Sequence, residues 1–185
     1  DVNYAQGHIV TKIDNDNFSF SPNDILDAWL TANCNIGTTT VYVDMDGVLT
    51  EYYQAIATFA TAQGLLDSGG DWYDMSPGIE AQAIAAVPNS GFFSNLAVRA
   101  EANALIDLVI AKNGSYRALT TDVGTQANTL KTNWMAANFT GARAAAGIDF
   151  ATNFNKGPYG GPNKLLIDDR TTYINQFEAA GGLGF

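Results

Sequence analysis

The sequence predicts an α/β fold: a Rossmann-like parallel sheet flanked by helices, with a small helical cap inserted after the first core strand. Three observations predict it. Short apolar strands alternate with helical patterns over the C-terminal half, the order that a parallel sheet covered on both faces requires. The β-branched run Thr38–Val43 supplies a first core strand ahead of that series. Between that run and the next strand, residues 50–115 carry helical patterns and no convincing strand.

Taken in order, residues 1–38 read as an N-terminal appendage with a short strand in "GHIVTKI", a turn at "DNDN" and a helix through about Ala32. Ser21-Pro22 offers that helix an N-cap and a first-turn proline. After the strand at Thr38–Val43, "EYYQAIATFATAQ" places Tyr52, Ile56 and Phe59 on one helical face. A second helix is expected from Ser76-Pro77 to Ala86, and a third from Ser94 to a stop at Gly114. The remaining elements are a strand "YRALTT", a helix "GTQANTLKTNWMAANF", strands "AAGIDFA" and "KLLID", a helix "TTYINQFEAA" and a last strand "LGF". The expected organisation is thus 1–38 as appendage and 39–185 as core, with 50–115 as a cap within it.

With 185 residues, 46% hydrophobic and 15% charged, the chain can bury a sizeable core in one domain. A net charge of −10 argues against polymeric nucleic acid, whose binding depends on neutralising many phosphates. No apolar run reaches the roughly 20 residues of a membrane span, and Asp1–Val10 lacks the basic start and apolar stretch of a secretory leader. A cytoplasmic location is therefore expected, or host cytoplasm or virion for a viral chain. Starting at Asp1 suits a processed product or a piece of a larger polypeptide. The single cysteine, Cys34, excludes an internal disulfide. Among the few cations, Lys156, Lys164 and Arg170 lie close together near the C-terminus.

In a parallel α/β sheet, ligands bind beyond the carboxyl ends of the strands. Three strands here end in residues able to do chemistry: Val43 precedes Asp44 and Asp46, Leu119 precedes Thr120 and Thr121, and Ile167 precedes Asp168 and Asp169. Side by side they would gather four carboxylates and two hydroxyls. Such oxygen ligands suit Mg²⁺, which takes a few carboxylates plus waters and a substrate phosphate. An EF-hand is excluded because Gly47 comes too early, and no G-x-x-x-x-G-K-[ST] phosphate loop occurs. His8 lies outside the constellation.

On these residues the sequence resembles the haloacid dehalogenase superfamily, whose first motif is an apolar strand followed by D-x-D-G, here Asp44-Met45-Asp46-Gly47. "ALTT" looks like the second motif, Lys156 like the third, with Lys164 as competitor, and "LLIDDR" like the fourth. "VYVDMDGVLTEYY", "GFFSNL" and "LLIDDRTTYINQFEAAGG" are similar to the 5'(3')-deoxyribonucleotidase family and its phage-encoded relatives over about 39–185. The glycine- and proline-rich lysine region "NFNKGPYGGPNK" departs from the family pattern, as does the lack of a serine-proline continuation after "LTT".

The resemblance implies a phosphomonoesterase working through an aspartyl-phosphate. Asp44 becomes the nucleophile and Asp46 the general acid, then base. Asp44, Asp168 and the Asp46 backbone carbonyl hold Mg²⁺, with Asp169 beside them. Thr120 hydrogen-bonds a phosphate oxygen, Lys156 neutralises charge, and Thr121 contacts substrate. The expected partner is a small phosphorylated substrate, a nucleoside monophosphate. Phe92 and Phe93 are candidates to stack on its base, with Trp72 and Tyr73 as further candidates. The alternatives are a phosphatase of another small phosphomonoester, and a non-catalytic binding domain that keeps the fold.

Overall fold

The computed structural model describes residues 3–5, 8–10, 24–34, 37–66, 77–87 and 91–185. Strands β1 (Asn3–Ala5) and β2 (His8–Val10) form a separate antiparallel pair. Helix α1 (Asp24–Asn33) follows, then the first core strand β3 (Thr40–Val43). Helices α2 (Tyr52–Ala62), α3 (Pro77–Ala86) and α4 (Ala102–Asn113) come next. The alternating half comprises β4 (Arg117–Thr121), α5 (Thr125–Asn138), β5 (Ile148–Ala151), β6 (Lys164–Ile167), α6 (Thr171–Ala179) and β7 (Leu183–Gly184).

The five core strands lie in the order β5-β4-β3-β6-β7, and every pairing is parallel. β3 is central: Val43 sits opposite Ala118 on one side and Ile167 on the other. The chain builds outward from β3 to β5, then returns to lay β6 on the opposite side of β3. That reversal is the topological switch point at which crevices form in such sheets.

Strand periodicity of two sorts the side chains between two layers. Val41, Val43, Ala118, Leu165 and Ile167 join a core shared with Leu30 of α1, Ile106 of α4 and Trp134 of α5. Tyr42, Leu119 and Leu166 face the opposite way, onto Phe177 of α6, with the Tyr42 and Phe177 rings edge-on at 6.0 Å. Both faces are therefore covered, as a fully buried parallel sheet demands. Helix α1, placed by the sequence reading in the appendage, buries Leu26 and Leu30 in the same core. It is tied to α4 by a Lys112–Asp27 ion pair at 2.8 Å.

The helix expected from Ser94 is a correction. Phe92–Asn95 is a 3₁₀ turn, and α4 starts only at Ala102. Residues 96–99 run extended, because Glu51 N donates to Ala97 O and Arg99 N donates to Leu49 O, both at 3.0 Å. Tertiary backbone pairing thus overrides a locally helical pattern. "DNDN", the Ser21-Pro22 cap, Ser76, Trp72 and Tyr73 lie outside the described residues. No described helix is long and apolar enough to cross a membrane.

Candidate active site

The strand ladders run one residue past the strands and fix the first carboxylates. Asp44 N donates to Ile167 O at 2.9 Å, and Asp168 N to Phe185 O at 3.1 Å. Beyond Asp44 the chain turns on Met45, which is fully buried and whose carbonyl accepts from both Leu49 N (2.9 Å) and Thr50 N (3.0 Å). Gly47 sits in that turn at φ 90°, a conformation that favours glycine. A Cβ there would lie 2.5 Å from Asp169 Oδ2. The D-x-D-G spacing is thus a packing requirement as well as a chemical one.

Lys156 is fully buried and bridges two of these acids, with Nζ 2.5 Å from Asp44 Oδ1 and 2.6 Å from Asp168 Oδ2. Of the two candidate lysines, Lys156 is the one that reaches these acids. Lys164 pairs with Thr40 at the opposite end of the sheet, its Nζ reaching only Gly160 O at 3.5 Å. Burial pushes the Asp44 carboxyl up to about 7 against the pull of Lys156, with Asp168 and Asp46 adding repulsion. Burial, then the Asp44 charge, raises Asp169 to about 6. Burial raises Asp168 as well. Burial opposes the charge on Lys156, but Asp44 and Asp168 outweigh it and hold the ammonium above its usual range. One ammonium among these carboxylates leaves the cluster short of positive charge.

A second buried lysine, Lys131 of α5, serves Asp46. Its Nζ lies 2.5 Å from Asp46 Oδ2 and donates to Thr120 Oγ1 at 2.7 Å and to the Thr121 carbonyl at 3.3 Å. It also sits 4.5 Å over the Phe93 ring. The sequence reading missed Lys131. The available signal was its spacing, since Ala127, Lys131, Trp134 and Met135 form the buried stripe of α5, where a lysine needs a partner. Thr120 is fully buried, with its hydroxyl 3.4 Å from Asp46 Oδ2. Asp46 Oδ1 is buried without a hydrogen-bond partner.

These groups open into a single cleft between the sheet and the inserted helices. Asp44, Asp46 and Thr121 line it on the sheet side, Tyr52, Tyr53 and Phe93 on the side of the inserted helices. Phe93 is 2% exposed and contributes to the wall. Phe92 does not line the cleft. It packs edge-on against Tyr52, Phe59 and Phe93, at 6.0, 5.6 and 5.2 Å between ring centroids. The Tyr53 hydroxyl donates to Asp169 Oδ2, and Arg170 Nε lies 3.4 Å from the same hydroxyl.

The donor set fits a divalent cation. Asp44, Asp168 and Asp169 each offer a carboxylate oxygen, all within 4.8 Å of one another. All are oxygen ligands, the kind Mg²⁺ prefers. The surplus of carboxylates over ammonium gives such an ion an electrostatic reason to bind.

The fold is shared with solved structures of haloacid dehalogenase-like hydrolases. The chain is similar to a haloacid dehalogenase-like hydrolase from Streptococcus pneumoniae, with a TM-score of 0.54 at 12% identity, over 79% of this chain and 82% of that one. It is also similar to a subfamily IA haloacid dehalogenase-superfamily hydrolase from Geobacter sulfurreducens, with a TM-score of 0.54 at 13% identity, over 82% and 88% of the two chains. At these identities the likeness is one of fold. No protein-family model matches the chain, and no curated protein matches it in sequence.

Proposed function

We propose that the chain is a Mg²⁺-dependent phosphomonoesterase that hydrolyses nucleoside monophosphates, deoxynucleotides in particular, through an aspartyl-phosphate. The observation that carries this reading is the pairing of two carboxylates, two residues apart, each with its own buried lysine at one cleft. Asp44 attacks phosphorus, forming a P–O bond to its carboxylate while the ester P–O bond breaks. Asp46 donates a proton to the departing alkoxide and then takes one from the water that attacks the phosphoaspartate. Phosphate leaves, and Asp44 is regenerated.

Lys131 and Thr120 hold Asp46 by Oδ2, so Oδ1 is the oxygen available for proton transfer. Lys156 keeps the Asp44 carboxylate from repelling the phosphoryl group as it approaches. Asp44, Asp168, Asp169 and the Asp46 carbonyl would hold Mg²⁺, which when bound would supply the remaining positive charge, the main need in phosphoryl transfer. Tyr53 and Arg170 orient Asp169. The apolar wall of Tyr52 and Phe93 favours a substrate with a hydrophobic leaving group over a bare sugar phosphate.

Phosphate release from a panel of deoxy- and ribonucleoside monophosphates, with Mg²⁺ and with EDTA, tests the reading. Turnover that needs metal and disappears in Asp44→Asn supports it. A wild-type protein that releases no phosphate from nucleotides or from an aryl phosphate overturns it in favour of a binding domain.

A further inference from the structure

Phe154 combines three features that no role in packing explains. It is 47% exposed, one of two large apolar side chains that open to water among the described residues. It lines the cleft. Its backbone is left-handed, with φ 53° at Phe154 and 54° at the preceding Asn153, a region where bulky side chains are genuine outliers.

The loop that imposes this conformation is fixed on both sides of Phe154. Gln176 of α6 grips it twice: its Nε2 donates to Phe154 O at 3.3 Å, and its Oε1 accepts from Lys156 N at 3.0 Å. Asn155 N donates to Thr152 O at 3.1 Å, and Asn155 Oδ1 accepts from Gly157 N at 2.9 Å. The same loop carries Lys156 to Asp44, so its path is set by the catalytic lysine. Glycine or asparagine would follow that path with less strain. Phenylalanine therefore needs a reason outside the backbone, and strained residues that persist in over-determined surroundings cluster at ligand sites.

We propose that Phe154 is the aromatic platform on which the base of the substrate nucleotide stacks, making it a specificity-determining residue. The inference rests on the nucleotide reading above and moves the stacking role from Phe92, which is packed among other rings, to the cleft mouth. Stacking recognises the π-face that every base has, so Phe154 favours base-bearing substrates without choosing finely among bases.

The test compares thymidine 5'-monophosphate with 2-deoxyribose 5-phosphate, which carries the same sugar phosphate without the base. Phe154→Asn keeps a residue tolerant of the left-handed backbone, and Phe154→Trp keeps the ring. The expected result is a ~5- to 100-fold fall, in Phe154→Asn, of the ratio of kcat/KM for the nucleotide to that for the sugar phosphate. Phe154→Trp retains most of the ratio. A ratio unchanged in Phe154→Asn overturns the inference, including when both activities fall together, which assigns Phe154 to shaping the Lys156 loop. If the wild type itself shows no preference for the nucleotide, the nucleotide reading fails and this inference with it. A wild-type preference that survives in Phe154→Asn sinks the Phe154 assignment alone.

Discussion

Asp44 and Asp46 are separated by one residue, yet their surroundings are built on opposite charge balances. Lys156 must serve Asp44 and Asp168 together, with Asp169 close by. Lys131 serves one carboxylate and spends its other contacts on a threonine hydroxyl and a carbonyl. The Asp44 side is thus short of positive charge, whereas on the Asp46 side one lysine answers one carboxylate, through Oδ2. In the proposed mechanism the cost of gathering carboxylates falls where Mg²⁺ would bind, and the carboxylate assigned to proton transfer is held apart from it.

The sharpest way to break this comparison is Asp44→Asn. It should cut phosphate release by ~10⁴-fold or more, the scale of losing a nucleophile, while raising the melting temperature at pH 8 in EDTA. The stability gain follows because one of several mutually repelling carboxylates is gone. Differential scanning calorimetry beside a turnover assay reads both effects. A variant that is inactive but no more stable would show that the metal-free cluster carries no net repulsion.

Replacing each lysine by methionine separates the two sides. Lys156→Met strips the ammonium that bridges Asp44 and Asp168, and removing a partner from a buried ion pair costs about 3–5 kcal/mol. Added Mg²⁺ should recover a large part of that loss. Lys131→Met should cost less, because the Asp46 side chain is partly exposed, 15%, and Mg²⁺ should recover little of it. Denaturant melts of both variants with and without Mg²⁺ would show whether the recovery is one-sided.

The pH dependence follows from the raised carboxylates. Asp44, raised to about 7, and Asp169, raised to about 6, hold protons in the folded, metal-free protein that the unfolded chain releases near pH 4. Their contribution to stability is complete below about pH 4 and is lost as pH rises to about 7. Thermal melts in EDTA should therefore show a lower midpoint at pH 8 than at pH 5.5, and Mg²⁺ should shrink that difference. An unchanged difference would mean that the ion binds elsewhere.

The smallest effect is expected from Tyr53→Phe. Its hydroxyl holds Asp169, and groups that orient a metal ligand are worth roughly 10- to 100-fold in affinity. We expect about a 10-fold weaker Mg²⁺ dissociation constant by calorimetry, with Lys131 contacts and nucleotide preference intact.

Much of this was readable in the chain because the signals were local. β-branched and aliphatic runs ended in chemistry-bearing residues at Asp44, Thr120 and Asp168, and parallel pairing in register brought those ends together. The D-x-D-G turn was legible from its glycine alone, although the atoms that crowd Gly47 belong to the distant Asp169 and to Tyr53. Lys131 was hidden because a lysine in a helix usually points to water, and only the three-dimensional neighbours reveal its partners. Phe92 and Phe93 looked alike as a pair, but the 3₁₀ turn sends one into an aromatic cluster and the other to the cleft wall. The extended segment before α4 depended on hydrogen bonds to Leu49 and Glu51, which no local pattern encodes.

The central claim is that Asp44 becomes phosphorylated by substrate in a metal-dependent step. Borohydride reduces an acyl phosphate to the alcohol, so quenching the enzyme during turnover and mapping peptides by mass spectrometry reads that step directly. The account predicts homoserine at position 44, only when both thymidine 5'-monophosphate and Mg²⁺ are present. Sustained phosphate release with residue 44 recovered solely as aspartate, and with Asp44→Asn still active, would contradict it.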